Sequence, residues 1–241
     1  MQENLKRLQA ALTEWMTKED IIGDACFYSI SDWQQRQEPY LDDSCLVLIF
    51  DSSTLHTILN YGGDTEEFDE LIESFGFWYE LGHSWNLGFY PIEGYDFSPS
   101  RGTYAQKRQD TRWKKKADYI KARVSHICQD CGVQGRLHAH HCYYLTMKEG
   151  YEPWEYPLSA FRALCPRCHA LRETAEIRMR SFMAGLTQAQ MDKLRHGAES
   201  AFYWFKADAV LDFIAAIKHD NEKALSALNT LLENRREETI E

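Results

Sequence analysis

Two Cys-x-x-Cys pairs constrain this chain more than any other feature. They are Cys128/Cys131 and Cys165/Cys168. A two-residue spacer lets both sulfurs of a pair turn back onto one ion, and four thiolates make the donor set of a closed tetrahedral Zn²⁺ site. A thioredoxin-like redox motif uses one such pair, whereas this chain has two. The chain carries seven Cys, an odd number. That count points to a reducing compartment rather than a disulfide framework. The pairs therefore predict a structural zinc, and the loop at 128–131 must fold onto the segment at 165–168.

Between the pairs stands Leu137-His138-Ala139-His140-His141, and His169 abuts the last Cys. Four Cys already close the zinc site, so His140, His141 and His169 are left for a second, open metal site. Neighbouring residues on an extended strand point to opposite sides. His140 and His141 can therefore take two different roles.

The string CxxC…LHAHH…PWEYP…LCPRCH, over residues 124–179, resembles an HNH endonuclease of the ββα-metal finger group in its zinc-stapled form. The resemblance implies a two-stranded hairpin followed by a helix. It implies His140 and His169 as ligands of a catalytic divalent ion, with His169 on the first turn of the helix. It implies His141 as general base, and DNA as substrate. Such hydrolysis needs a deprotonated water in line with the leaving oxygen and a cation to offset charge on the phosphate. Neutral imidazole can take that proton near pH 7. The ion is expected to be Mg²⁺ or another divalent metal such as Mn²⁺ or Ni²⁺, since imidazole ligands suit the transition metals at least as well. The sequence departs from the pattern where the family carries an Asn that orients the base. Ala160 stands there, with Ser159 beside it. A backbone carbonyl is the expected substitute. Cys142, Tyr143, Tyr144 and Pro153-Trp154-Glu155-Tyr156-Pro157 read as hairpin packing, although Glu155 could also reach a metal-bound water or substrate and the two Tyr could stack on bases.

The net charge of −10 looks wrong for a nucleic-acid enzyme until it is mapped along the chain. Residues 1–100 carry 4 Lys/Arg against 19 Asp/Glu, whereas residues 101–123 carry 9 against 2. Residues 124–180 carry 7 against 6, and residues 181–241 carry 7 against 10. The basic stretch holds Lys107, Arg108, Arg112, Lys114, Lys115, Lys116, Lys121 and Arg123, interleaved with Trp113 and Tyr119. Lys/Arg clusters displace condensed counterions from nucleic acid, and such contacts position a backbone without reading sequence. These eight residues are the expected nucleic-acid grip. The acidic head reads as a solvated face, or as a docking surface for a regulatory partner.

Periodicity supplies the elements. Leu5, Leu8, Leu12 and Trp15 predict a helix over 3–17. Residues 25–30 read as a strand, Ser31 as the cap of a brief helix, and residues 45–50 as a central strand. Asp64 reads as the cap of a helix, with Glu67 three residues on as its capping-box partner; the apolar face is Phe68, Leu71, Ile72 and Phe75, and Gly76 ends it. Residues 77–81 and 87–92 read as a hairpin, and residues 104–123 as one basic helix. Helices are expected over 187–197, 200–218 and 221–235. The aromatic run Phe202-Tyr203-Trp204-Phe205 reads as core.

The expected fold class is α+β. The expected parts are an acidic α+β domain (1–95), a linker and basic helix (96–123), a zinc-bound ββα finger (124–180) and a helical tail (181–241). No apolar run approaches membrane-spanning length, so no membrane partner is expected, and the Cys usage places the chain in the cytoplasm. The expected function is metal-dependent nicking of DNA, held off by the acidic head, in an anti-phage or restriction-type system. The alternatives are a non-catalytic zinc-finger nucleic-acid-binding module, or an interaction protein whose working parts are the head and tail.

Overall fold

The computed structural model describes residues 1–144, 151–216 and 221–233. It is mixed α+β and forms two compact units, Met1–Leu171 and Arg172–Glu241. The acidic head, the basic stretch and the finger as far as Leu171 lie within the first unit, and the boundary between the units falls inside the helix that follows the second Cys pair.

The first unit is built on an antiparallel sheet of order β1-β2-β4-β3, from β1 (Cys26–Ser29), β2 (Leu46–Ile49), β3 (Phe77–His83) and β4 (Asn86–Pro91). β2 is an unbroken apolar run because both its faces are covered. Side chains alternate across a strand. Leu46, Leu48 and the following Phe50 enter the main core, while Val47 packs on the other side with Trp33 and Leu41. Helix α1 (Gln2–Lys18) lays Leu8, Leu12 and Trp15 into the main core.

Three local expectations shift. The brief helix α2 (Ile30–Gln35) is capped by Ser29, whose hydroxyl accepts from the Asp32 amide at 3.2 Å. Helix α3 (Thr54–Asn60) gave no sequence signal: it is seven residues with two β-branched Thr and no side-chain cap. Before α4 (Glu66–Ser74), Asp64 accepts from the Glu66 amide as expected, but Glu67 is not its capping-box partner. Glu67 instead accepts from the Ser159 amide at 2.8 Å. α4 buries Phe68, Leu71 and Ile72 and ends at Gly76, whose φ of +90° suits glycine. The Tyr95 ring lies against Gly76 where a Cβ would stand.

The basic stretch is two helices rather than one, α5 (Tyr104–Lys107) and α6 (Thr111–Arg123). The break falls at Asp110, whose carboxylate caps α6 by accepting from the Arg112 amide at 2.9 Å. α6 turns Trp113, Lys116 and Ile120 inward. Trp113 and Ile120 join a second core with Leu137, Trp154, Tyr156 and Phe161. Over this core lies the hairpin β5 (His138–His141) with β6 (Phe161–Leu164), paired His140 to Arg162 and His141 to Phe161. Helix α7 (Pro166–Met183) follows, with Pro at its first position, where the missing N–H costs nothing. Tyr151 packs against both cores, so head and finger share one interior.

The second unit holds α8 (Gln188–Trp204), α9 (Ala207–Ala216) and α10 (Asn221–Glu233). Thr187 and Gln190 form a capping box at the start of α8. α8 runs on through Gly197 to Trp204, so the expected break near residue 198 moves to Phe205-Lys206. Phe202 and Tyr203, expected in a core, are exposed. The expected helix ends at 217–218 and 234–235 lie outside the described residues. No helix among the described residues is long and apolar enough to cross a membrane.

Candidate metal and histidine centre

The two Cys pairs converge as their spacing demands. The sulfurs of Cys128, Cys131, Cys165 and Cys168 all lie within 4.8 Å of one another. Cys131 and Cys165 stand 3.9 Å apart. Four sulfurs about 2.3 Å from one tetrahedral zinc would be separated by about 3.8 Å, so the donor set fits the ion. The first pair sits in a tight turn: the Gly132 amide donates to the Cys128 carbonyl at 2.8 Å, and Gly132 holds φ at +74°. The second pair opens α7, and the Cys165 amide donates to the Cys128 sulfur at 3.3 Å.

Protonation within the cluster points the same way. Burial pushes the Cys128 thiol up, but amides of Cys165, Cys131 and Asp130 outweigh it and bring it down to about 6. Cys168 is pushed up to about 12, first by its hydrogen bond with Cys131 and then by burial. One thiolate is thus favoured and a second resisted, which is the electrostatic need that a divalent cation meets. This Cys₄ group can hold a metal ion such as zinc.

Strand β5 separates the histidines as alternation requires. His140 turns toward His169 on the first turn of α7, with ring centroids 4.9 Å apart and planes nearly perpendicular at 87°. Ring nitrogens of the two lie within 4.8 Å, close enough to share an ion. His138, two residues back and on the same strand face, lies 5.2 Å from the His169 ring. Its i−2 position relative to His140 is the sequence signal for this neighbour, since residues two apart on a strand share a face.

His141 faces the other way and is 4 % exposed. Its Nε2 lies 2.9 Å from the Pro153 carbonyl oxygen. A carbonyl only accepts, so Nε2 carries the proton and Nδ1 keeps its lone pair. The Tyr104 hydroxyl donates to that Nδ1 at 3.2 Å. The ring is sandwiched between Trp113 and Tyr144, each centred 5.0 Å away, at 14° and 24°. Burial drives the His141 pKa down to about 4, against the opposing pull of the Pro153 carbonyl. The ring is therefore neutral at pH 7. Pro153 supplies the backbone carbonyl expected in place of the missing Asn, while Ala160 is wholly buried. Tyr104 gave no sequence signal, because its contact crosses 37 residues of chain.

The remaining expected residues have definite places. Glu155, 1 % exposed, pairs with Arg7 of α1 at 2.9 Å and accepts from the Glu152 amide. Burial raises its pKa to about 7, with Arg7 opposing. Trp154 lies under the Arg112 guanidinium, 4.3 Å from ring centroid to carbon. These contacts tie the finger to the head.

Most of the basic stretch faces acids. Arg123 pairs with Glu66 at 2.7 Å, Lys115 with Glu73 at 3.7 Å, and Lys116 with Glu70. Lys107 pairs with Glu152 at 2.8 Å, Lys121 with Asp118 at 2.6 Å, and Arg112 with Asp110 at 2.8 Å. Lys116 is 3 % exposed and also donates to the Tyr156 carbonyl at 2.8 Å. Burial pushes Lys116 down and Glu70 up to about 7. Arg108 and Lys114 are the two of the eight without an ion pair among the described residues. The acidic face of α4 and the basic face of α6 line one cleft of about 890 Å³.

No protein-family description, no curated protein and no solved structure matches this chain.

Proposed function

We propose that the chain is a metal-dependent endonuclease of the HNH type that nicks DNA, stapled by a structural zinc on Cys128, Cys131, Cys165 and Cys168. The observation that carries the reading is the division of labour along β5. His140 meets His169 on one side of the strand, and His141 is fixed as a neutral base on the other. A divalent ion held by His140 and His169 would supply positive charge to the scissile phosphate. Two imidazoles leave room for solvent and phosphate oxygens, and they suit Mn²⁺ or Ni²⁺ at least as well as Mg²⁺. The Pro153 carbonyl keeps the His141 proton on Nε2, so Nδ1 is the atom that accepts a proton from the attacking water. Tyr104 holds that atom now, and its hydroxyl must yield the place to a water.

The pairs between α4 and α6 supply a physical form for autoinhibition. Arg123, Lys115 and Lys116 are engaged by Glu66, Glu73 and Glu70 rather than by phosphate. On this reading a partner or the substrate displaces the acidic face, as would suit an anti-phage or restriction-type system.

Burial of His141 and the Ala160 substitution favour a second reading, a zinc-finger nucleic-acid-binding module without catalysis. A supercoiled-plasmid nicking assay separates the two. It uses Mg²⁺, Mn²⁺, Ni²⁺ or EDTA with wild type, with His141→Ala, and with Glu66→Gln/Glu73→Gln to loosen the acidic face. The nuclease reading expects metal-dependent open circle that His141→Ala abolishes while DNA binding persists. DNA binding without cleavage by zinc-loaded wild type and the loosened variant, with every metal, establishes the second reading.

A further inference from the structure

The charges around the first histidine of β5 have one sign. His138 lies beside His169, with ring centroids 5.2 Å apart. Burial lowers its pKa first, and His169, Arg136, Arg108 and Lys121 lower it further. The strongest charges acting on this ring are thus all positive, in a chain whose net charge is −10.

Geometry places two of these cations. Arg136 is exposed and Leu137 is buried, so by alternation Arg136 leaves the chain on the side of His138. Arg108 stands one turn after Tyr104, and its amide donates to the Tyr104 carbonyl at 3.1 Å. The Tyr104 hydroxyl in turn reaches His141 Nδ1. The short helix α5 thus brings Arg108 to the β5 hairpin. Both Arg are exposed, and neither makes an ion pair among the described residues. Six other cations of the basic stretch are engaged by carboxylates.

We infer that Arg108 and Arg136 form a phosphate grip beside the His140/His169 site, open without any displacement of the acidic face. Its ligand is the phosphodiester backbone of DNA. A guanidinium stays charged at any working pH, and its planar fork matches two phosphate oxygens. Reaching in from two separate segments, the pair sets a strand across the outer face of β5. Such contacts fix the position of the backbone and carry no sequence information. Arg136 lies outside the basic stretch, so the grip is not the α6 face that the acids of α4 engage. The inference rests on the nucleic-acid reading of the finger, which the nuclease and the non-catalytic module share.

The test is fluorescence anisotropy of a labelled DNA duplex with the full zinc-loaded chain, without added divalent metal, across a salt series. Each phosphate contact contributes roughly 0.9 to the slope of log affinity against log salt. Arg108→Gln/Arg136→Gln should therefore reduce that slope by about two and weaken binding by at least about tenfold. Arg108→Lys/Arg136→Lys keeps both charges and should keep most of the slope, a rescue that a merely structural role would not give. Lys114→Gln removes the other unpaired cation of the stretch and should bind as wild type does. Wild type that fails to bind the duplex overturns the inference. So does a Gln double variant with unchanged affinity and slope, or a loss that the Lys pair does not restore. Plasmid nicking by the same proteins separates this result from the nuclease reading. Wild type that cuts while the Gln variant binds and cuts unchanged removes the grip and leaves the nuclease. Wild type that binds through the two Arg but nicks with no metal keeps the grip and removes the nuclease.

Discussion

His141 shows how one ring can be both well fixed and costly. Its pKa is about 4 in the folded chain against about 6.5 when unfolded, so the unfolded chain binds the extra proton between those values. Stability from this residue is fully present above pH 6.5 and is lost as pH falls toward 4. The full shift corresponds to about 3 kcal/mol. His141→Phe keeps the stack with Trp113 and Tyr144 but cannot titrate. Urea midpoints measured from pH 7 to 4 should fall more steeply for wild type than for His141→Phe; parallel curves would refute the burial argument. The four Cys and the His140/His141/His169 set were legible because their information is local: spacing within a pair, alternation along a strand, one position after a Cys. Tyr104 and Pro153 were not, because each reaches His141 across a loop whose path no local pattern encodes. Of the two, only the carbonyl's role could be expected in kind, from the absent amide at Ala160.

At the scale of elements, α4 and α6 are held by a buried pair of opposite charges. Lys116→Met leaves the largely buried Glu70 carboxylate without the cation it pairs with, and is expected to cost about 3 kcal/mol. Lys116→Met/Glu70→Leu should recover most of that loss, because burying two apolar groups avoids desolvating two charges. Chemical denaturation of the three proteins checks it; equal loss in the single and double variants would mean the contact is packing alone. Periodicity made α1, α4 and β2 legible, since each buries a regular face. The break between α5 and α6 was hidden by uniform basic composition, although Asp110 is a standard capping residue. The opposite charges of head and bridge were plain in the sequence, but which Glu meets which Lys depends on helices brought together by the shared core. Lys116 in particular reads as one more surface cation until Trp113 and Ile120 are seen to turn inward beside it.

For the whole molecule, the shared interior changes what can be removed. Excising residues 1–100 would take away one of two cores joined by Tyr151, so the proposed inhibition by the acid face is best probed by neutralising charge in place. Glu66→Gln/Glu73→Gln should raise nicking, most at low ionic strength, where these exposed pairs are least screened. No gain at low salt would count against inhibition. Zinc content gives a further check: about one ion per chain by elemental analysis, with Cys131→Ser lowering retention under a chelator and lowering the melting temperature.

Cys168 and His169 are consecutive residues on the opening turn of α7. Under the proposed reading, one ligand of each ion is therefore carried by the same few backbone atoms. Whatever orders that turn for one ion pre-orders it for the other, so the two occupancies are thermodynamically linked. The linkage must be reciprocal: zinc tightens the affinity for a transition metal at His140/His169 by the same factor that this metal tightens zinc. Calorimetric titration of Mn²⁺ into zinc-loaded and zinc-stripped protein would read that factor, and equal affinities would show the two ions to be independent. Through that link, the staple becomes an effector, and zinc supply itself a control on how readily the second ion is held.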